Sequence, residues 1–229
     1  MSTVKPEAPL LQLIGLTHAY GNSSKNRAVL KGIDYSFEAG RMYAVVGPSG
    51  CGKTTLLSIA SGLDTPSGGS VRYKGRDISQ IGPSTYRNKH VATVFQSLNL
   101  LNYMTAVQNI TSAMEITGVK GVNRRHRASE LLERLGIEGE EQRRRTLQLS
   151  GGQQQRVAIA RALACDVDIL FADEPTGALD HDTAQSIIGI FREMVRDDGK
   201  CVIIVTHSHT VAAACDDVLQ LKRGRLQRS

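Results

Sequence analysis

Met42-Tyr43-Ala44-Val45-Val46-Gly47-Pro48-Ser49-Gly50-Cys51-Gly52-Lys53-Thr54 decides the fold. An apolar run of strand length stops at a glycine. A glycine-rich loop follows, and the pattern from Thr54 to Ala60 turns helical. Residues 47–54 fit G-x-x-x-x-G-K-[ST] in the strand–loop–helix setting that a phosphate cradle needs. Glycines let backbone N–H groups converge on phosphate oxygens without interference from a Cβ. The helix after the loop turns its positive end to the same anion. Lys53 supplies a mobile cation for the terminal phosphates, and the Thr54 hydroxyl can ligate Mg²⁺. The candidate phosphate-binding set is Gly47, Pro48, Ser49, Gly50, Cys51, Gly52, Lys53, Thr54 and Thr55.

Outward from this loop, short β-branched runs alternate with helical patterns, as in an α/β protein with a largely parallel sheet. Strands are expected at Leu11–Leu16, Met42–Val46, Val91–Phe95, Ile169–Ala172 and Val202–Thr206, with a terminal hairpin over Leu219–Leu226. From about Asn99 to Ala164 the pattern is mainly helical, which predicts a helical lobe inserted into a sheet-bearing core. Asp182–Val195 reads as a core helix, with apolar residues on one face and a stop at Gly199. The N-terminal tail and Gly21–Arg27 read as flexible.

The chain has 229 residues, 41% of them hydrophobic and 22% charged, ordinary figures for a globular domain. No apolar run is long enough to span a bilayer, and the polar start (Met1 to Pro9) has no signal-peptide core. A cytoplasmic protein is expected, with any membrane role reached through a partner. The four cysteines show no metal-type spacing and are expected as free thiols. Net charge is +6, with basic clusters at Arg124–Arg127 and Arg143–Arg145. Both lie in polar helical stretches and read as solvated faces. With 4% aromatics and no Trp, no base-stacking platform and no nucleic-acid partner is expected.

Asp168-Ile169-Leu170-Phe171-Ala172-Asp173-Glu174 is an apolar strand ending in two carboxylates. The carboxyl ends of strands are where open α/β sheets bind ligands. Asp173 is the candidate to hold Mg²⁺ directly or through water, and Glu174 to act on an attacking water as general base. Asp168 reads as a strand-edge residue only. Leu149-Ser150-Gly151-Gly152-Gln153 opens another helical run, a second anion-binding helix start. Residue frequencies put its chance occurrence at about a few in ten thousand chains of this length.

Here the sequence resembles the ATP-binding-cassette ATPases, whose signature is LSGGQ, over nearly its whole length and with the motifs in the family's order. The resemblance implies a P-loop NTPase (RecA-like) α/β core with an antiparallel β subdomain and an inserted α-helical subdomain. The core would take residues 10–96 and 165–229, and the helical lobe 97–164. It implies ATP and Mg²⁺ as ligands, and an ATP hydrolase. Tyr20 matches an aromatic that stacks on adenine ahead of the first strand pair. Gln96 matches a glutamine that senses Mg²⁺ and the γ-phosphate, and His207 the switch histidine on that phosphate. Ala178-Leu179-Asp180 matches a loop that crosses to a partner. Lys53, Glu174 and His207 are the catalytic candidates, and Thr54, Gln96 and Asp173 the metal candidates. Singly, Tyr20 could be surface packing, Gln96 a loop residue and His207 a strand-end histidine; together and in order they take the family roles.

In the family the phosphate loop of one subunit faces Ser150, Gly151, Gly152 and Gln153 of another, so a two-ATP dimer is implied. Phe95–Leu101, Gly151–Arg161 and Glu174–Asp180 look most like the motors of lipoprotein-release, macrolide and peptide export systems, which sit with a permease on the inner membrane face. The sequence departs from that branch at Cys51, Thr54, Ala178 and Ser208, the last putting a contact to His207 in doubt. The 97 positions from Lys53 to Ser150 hold no sustained heptads, against a chromosome-type relative. A soluble motor of iron–sulfur assembly stays open as the alternative. Cys51 reads as a variable loop position, or as a thiol made reactive by the helix start and Lys53. On the second reading, alkylation of Cys51 blocks ATP binding and ATP protects the thiol; full binding after complete modification rejects it.

Overall fold

Side chains alternate across a strand, and the central strands bury both faces. In the computed structural model, which describes residues 9–20 and 27–228, β7 (Ile169–Asp173) is buried throughout. Its Ile169 and Phe171 face one apolar layer, and Leu170 and Ala172 face another. The sheet runs in the order β10 (Arg225–Arg228), β9 (Asp217–Lys222), β3 (Met42–Val46), β8 (Cys201–Val205), β7 and β6 (Val91–Val94). All neighbours pair in parallel except β10, which folds back antiparallel on β9.

The first layer lies between this sheet and an antiparallel one, ordered β2 (Arg27–Phe37), β1 (Leu11–Tyr20), β4 (Gly68–Tyr73) and β5 (Arg76–Asp77). Into the same layer α1 (Lys53–Ala60) inserts Leu56, Leu57, Ile59 and Ala60. Two short helices, α2 (Ile78–Ile81) and α3 (Pro83–Lys89), lead into β6. The second layer is roofed by α4 (Ala106–Thr117), α5 (Arg124–Arg134), α6 (Gly151–Leu163) and α7 (His181–Asp198). A five-residue helix, α8 (His209–Ala213), precedes β9. Helix ends follow local chemistry. Thr105 and Gln108 form a reciprocal capping box on α4, and α7 starts at the Asp180 cap and stops at left-handed Gly199.

Most expected elements stand within a residue or two, and the four cysteines are free. Three readings need correction. Strands β2 and β4 went unread, because glycines in the left-handed region (Gly32, φ 72°; Gly69, φ 79°) break their period-2 pattern. Tyr20 does not precede the first strand pair: it ends β1 and pairs with Arg27, which opens β2. Of the stretch read as flexible, residues 21–26 lie outside the described residues, as does the tail 1–8. Nor is Asp168 only a strand edge. Its carboxylate accepts from the Tyr73 hydroxyl, and Lys74 and His90 lie within 3.4 and 3.5 Å. It thereby ties the antiparallel sheet to the start of β7.

Gly69 sits where β1 and β4 shift register, and a Cβ there would lie 2.4 Å from the Gly15 carbonyl oxygen. Gly75 has the same φ of 79° but open space around it. Gly75→Ala should therefore cost about 1 kcal/mol of unfolding free energy in urea, from backbone strain alone. Gly69→Ala should cost about 3 kcal/mol or more, because strand backbones must part. Equal losses would show that the close approach is not what demands glycine.

Candidate functional site

The loop after β3 is built where only glycine fits. A Cβ on Gly47 would lie 2.4 Å from the Leu221 carbonyl oxygen, and one on Gly52 would lie 2.6 Å from Val29 Cγ1. Gly50 and Gly52 hold φ of 73° and 107°, in the region other residues avoid. Gly52 starts α1 without a side-chain cap, so the first-turn N–H groups face the loop. Lys53 Nζ donates to Gly47 O (2.7 Å) and Pro48 O (3.2 Å), which holds the ammonium over the loop's own carbonyls. Cys51 is half-buried, and its Sγ would be 2.9 Å from a Cβ on Gly47.

Thr54 Oγ1 donates to Asp173 Oδ2 at 3.0 Å, across 119 residues of sequence. Burial raises the Asp173 pKa most, and the Glu174 charge adds to this; the Thr54 bond and Lys53 oppose it. A carboxylate so desolvated gains from a cation. Hydroxyl and carboxylate oxygens are the hard donors that Mg²⁺ takes, and this pair fits the ion. Among the described residues no group of three His, Cys, Asp or Glu side chains could hold a metal. Two protein oxygens leave the remaining positions to phosphate and water, as is usual for Mg²⁺ beside a nucleotide.

Glu174 carries φ 49°, a left-handed backbone that a non-glycine residue adopts only under restraint. The restraints are visible. Its N–H donates to Val205 O at 2.9 Å, and its carbonyl accepts from Gln155 Nε2 at 3.1 Å. Its carboxylate meets His207 Nδ1 at 2.6 Å and accepts from Thr206 Oγ1 at 3.3 Å. The Glu174 side chain is 13% exposed and the His207 ring 77%. The carboxyl group is thus pinned inside while the imidazole reaches outward. Among the described residues no hydrogen bond joins the Ser208 and His207 side chains: Ser208 caps α8, and its N–H donates to Thr206 Oγ1.

Among the described residues no hydrogen bond joins Gln96, Ser150 or Gln153 to Thr54, Asp173, Glu174 or His207. Gln96 is exposed beyond β6 and makes no side-chain hydrogen bond among the described residues. Ser150 caps α6, with Gln153 returning the bond, and Gln153 Nε2 donates to Glu141 Oε1 at 2.6 Å. A Cβ on Gly152 would lie 3.5 Å from Leu179 Cδ2, so the Ala178–Asp180 loop packs against the signature turn of its own chain. Among the described residues no hydrogen bond joins this turn to the phosphate loop. Tyr20 is 55% exposed and held at two points. Its hydroxyl meets Thr55 Oγ1 at 3.0 Å, and its ring stands edge-on to His18, centroids 4.7 Å apart.

Sequence reasoning missed Thr206, Gln155 and His18. Thr206 and Gln155 act by orienting Glu174 across the fold, and local sequence carries no sign of that. His18 is buried, and neither ring nitrogen has a hydrogen-bond partner among the described residues. Its place two residues before Tyr20, on the same strand face, was the available signal.

The ABC transporter family model matches residues 30–177. An uncharacterized ABC transporter ATP-binding protein of Bacillus subtilis, YclH, is 47% identical over 94% of each chain. The lipoprotein-releasing system ATP-binding protein LolD of Hyphomonas neptunium is 41% identical, over 95% of this chain and 96% of its own. The macrolide export ATP-binding/permease protein MacB of Salmonella choleraesuis is 41% identical over 95% of this chain, which spans 34% of MacB's length. Among solved structures, a dimeric post-hydrolysis state of the ATP-binding cassette MJ0796 bound to ADP and Pi superposes with a TM-score of 0.90. It shares 33% identity over 96% of this chain and 97% of its own.

The raised pKa of Asp173 has a signed consequence. Its folded value lies above its unfolded one, so stability falls as pH rises from the unfolded value through the folded one, and stays lower above it. Asp173→Asn keeps an acceptor for Thr54 without the charge. We expect a higher melting temperature for the nucleotide-free variant at pH 7, and no further rise on adding Mg-ATP, by differential scanning fluorimetry. A variant that melts lower and still gains from Mg-ATP would show Asp173 to be a structural partner only.

Proposed function

The chain belongs to the ABC transporter family, as an ATP-binding and ATP-hydrolysing subunit with Mg²⁺, and from that premise we propose that it drives a membrane complex exporting or extracting a peptide, lipoprotein or drug. The observation that carries the mechanism is the separation of two anion-binding helix starts in one chain. Gly47–Thr55 and Ser150–Gln153 have no hydrogen bond between them among the described residues, so each needs its complement from another copy. We read ATP as the ligand joining them, with two copies and two nucleotides per working unit.

Within that unit Lys53 and the loop N–H groups hold the terminal phosphates. Thr54 and Asp173 hold Mg²⁺, which when bound neutralises phosphate charge. Glu174, pinned by Gln155 and Val205, accepts a proton from the attacking water at its carboxylate. His207 keeps Nδ1 on Glu174 and offers Nε2 to the γ-phosphate. Tyr20 supports adenine, and Gln96 reports the nucleotide to the helical lobe, read as residues 97–164 against a core of 10–96 and 165–229.

No described helix is long and apolar enough to cross a membrane. Attachment to the inner membrane face is proposed through a permease, as MacB's name joins both activities in one chain. Leu101, Tyr103 and Leu147 are exposed, and the Thr146 hydroxyl bond to Leu101 O ties together the two segments that carry them. We read these side chains as apolar surface that such a partner would cover. Relatives named for transport favour this reading over the iron–sulfur alternative.

Glu174→Gln tests the mechanism. Turnover should fall at least about 100-fold while ATP still binds. Saturating Mg-ATP should then shift the variant from monomer to dimer in light scattering. A variant that stays monomeric rejects the shared site.

A further inference from the structure

Leu98 and Asn99 lie two and three residues beyond Gln96, and both hold left-handed backbone, with φ of 59° and 48°. One such non-glycine residue is uncommon; two in succession, one of them bulky, require outside restraint. Local bonds shape the turn: Leu98 N–H donates to Phe95 O at 3.0 Å, and Ser97 Oγ to Asn99 Oδ1 at 3.0 Å. The clamp comes from far along the chain. Arg161, near the end of α6, donates Nη1 to Asn99 O at 2.6 Å and Nη2 to Leu98 O at 2.9 Å. Burial lowers its pKa, as expected for a guanidinium partly withdrawn from water.

The next hold is at Leu101, whose N–H and carbonyl both bond to the Asn109 side chain, at 2.8 and 3.1 Å. The segment leaving β6 is therefore fixed at Phe95, at Leu98–Asn99 and at Leu101. Gln96 and Ser97 are the exposed arc between the first two points. Arg161 sits on the helix that Ser150 heads, so it makes that helix and the Gln96 arc one rigid piece.

We propose that Arg161 is a positioning residue: it clamps the strained Leu98–Asn99 turn and thereby sets the reach of Gln96 relative to the Ser150 helix start. This rests on the nucleotide-sensing role proposed above for Gln96. A guanidinium fork is needed because two adjacent carbonyls must be held at once; a lysine ammonium is a single point of hold.

The test is steady-state ATPase kinetics with hydrogen exchange on the full chain. In Arg161→Met, kcat should fall about tenfold with the KM for ATP changed less than about twofold. Amides of Leu98–Leu101 should exchange faster, and Arg161→Lys should fall between. Glycine takes the left-handed region without strain, so adding Leu98→Gly and Asn99→Gly to Arg161→Met should recover most of the lost kcat. Should Arg161→Met fail to fold, Arg161→Lys carries the same comparison. Unchanged kcat and exchange, or a loss the glycines do not recover, overturns the clamp. Gln96→Ala separates the two readings. If it lowers kcat while Arg161→Met does not, the clamp alone fails; if it leaves kcat unchanged, the role given to Gln96 fails.

Discussion

The Thr54–Asp173 hydrogen bond is the contact on which the site depends. It joins the first turn of α1 to the end of β7, two strands away across the parallel sheet. Without that register the phosphate loop and the acidic strand end would be separate features. The apolar layers set the register: Leu56, Leu57 and Ile59 of α1 pack in the layer that Phe171 and Ile203 enter. Packing thus places two oxygens of different origin at 3.0 Å, and burial makes one of them favour a cation.

Strain recurs where chemistry is concentrated. Glu174 and the Leu98–Asn99 pair hold left-handed backbone without being glycine, and each is pinned by residues distant in sequence. In the proposed role of Glu174 as general base, such rigid placement would remove an ordering cost from the hydrolytic step. The same rigidity explains how binding could be felt elsewhere. One helix starts with Ser150, bonds the Glu174 carbonyl through Gln155 and bonds the turn after Gln96 through Arg161, which links all three mechanically. The proposed ATP-closed pair of such chains would be a two-state element for a membrane partner to follow.

The parts of the fold legible in advance were those whose signal is local. Met42–Val46 reads as a strand because five apolar residues stop at a glycine, and the α7 stop at Gly199 reads from one residue. β2 and β4 escaped because their bulges reset the alternation that marks a strand; at Gly69 the close approach of β1 demands the glycine, whereas Gly32 has open space around it and only its left-handed backbone breaks the pattern. Asp168 looked like a strand edge because its partners Tyr73, Lys74 and His90 lie 95, 94 and 78 residues earlier.

By itself the sequence determined the phosphate loop, the acidic pair, the signature turn and their order, because each is a short run whose chemistry needs neighbours in the chain. It therefore determined the ligand class and the family. Only the tertiary structure decided that Thr206, Gln155 and His207 converge on Glu174, that Tyr20 is braced by His18 and Thr55, and that Arg161 grips the turn after Gln96. Apart from the His18–Tyr20 contact, which spans two positions, those contacts span from 19 to 63 residues, and their geometry exists only once both apolar layers have closed. That closure depends on the summed burial of many side chains, which no single motif encodes.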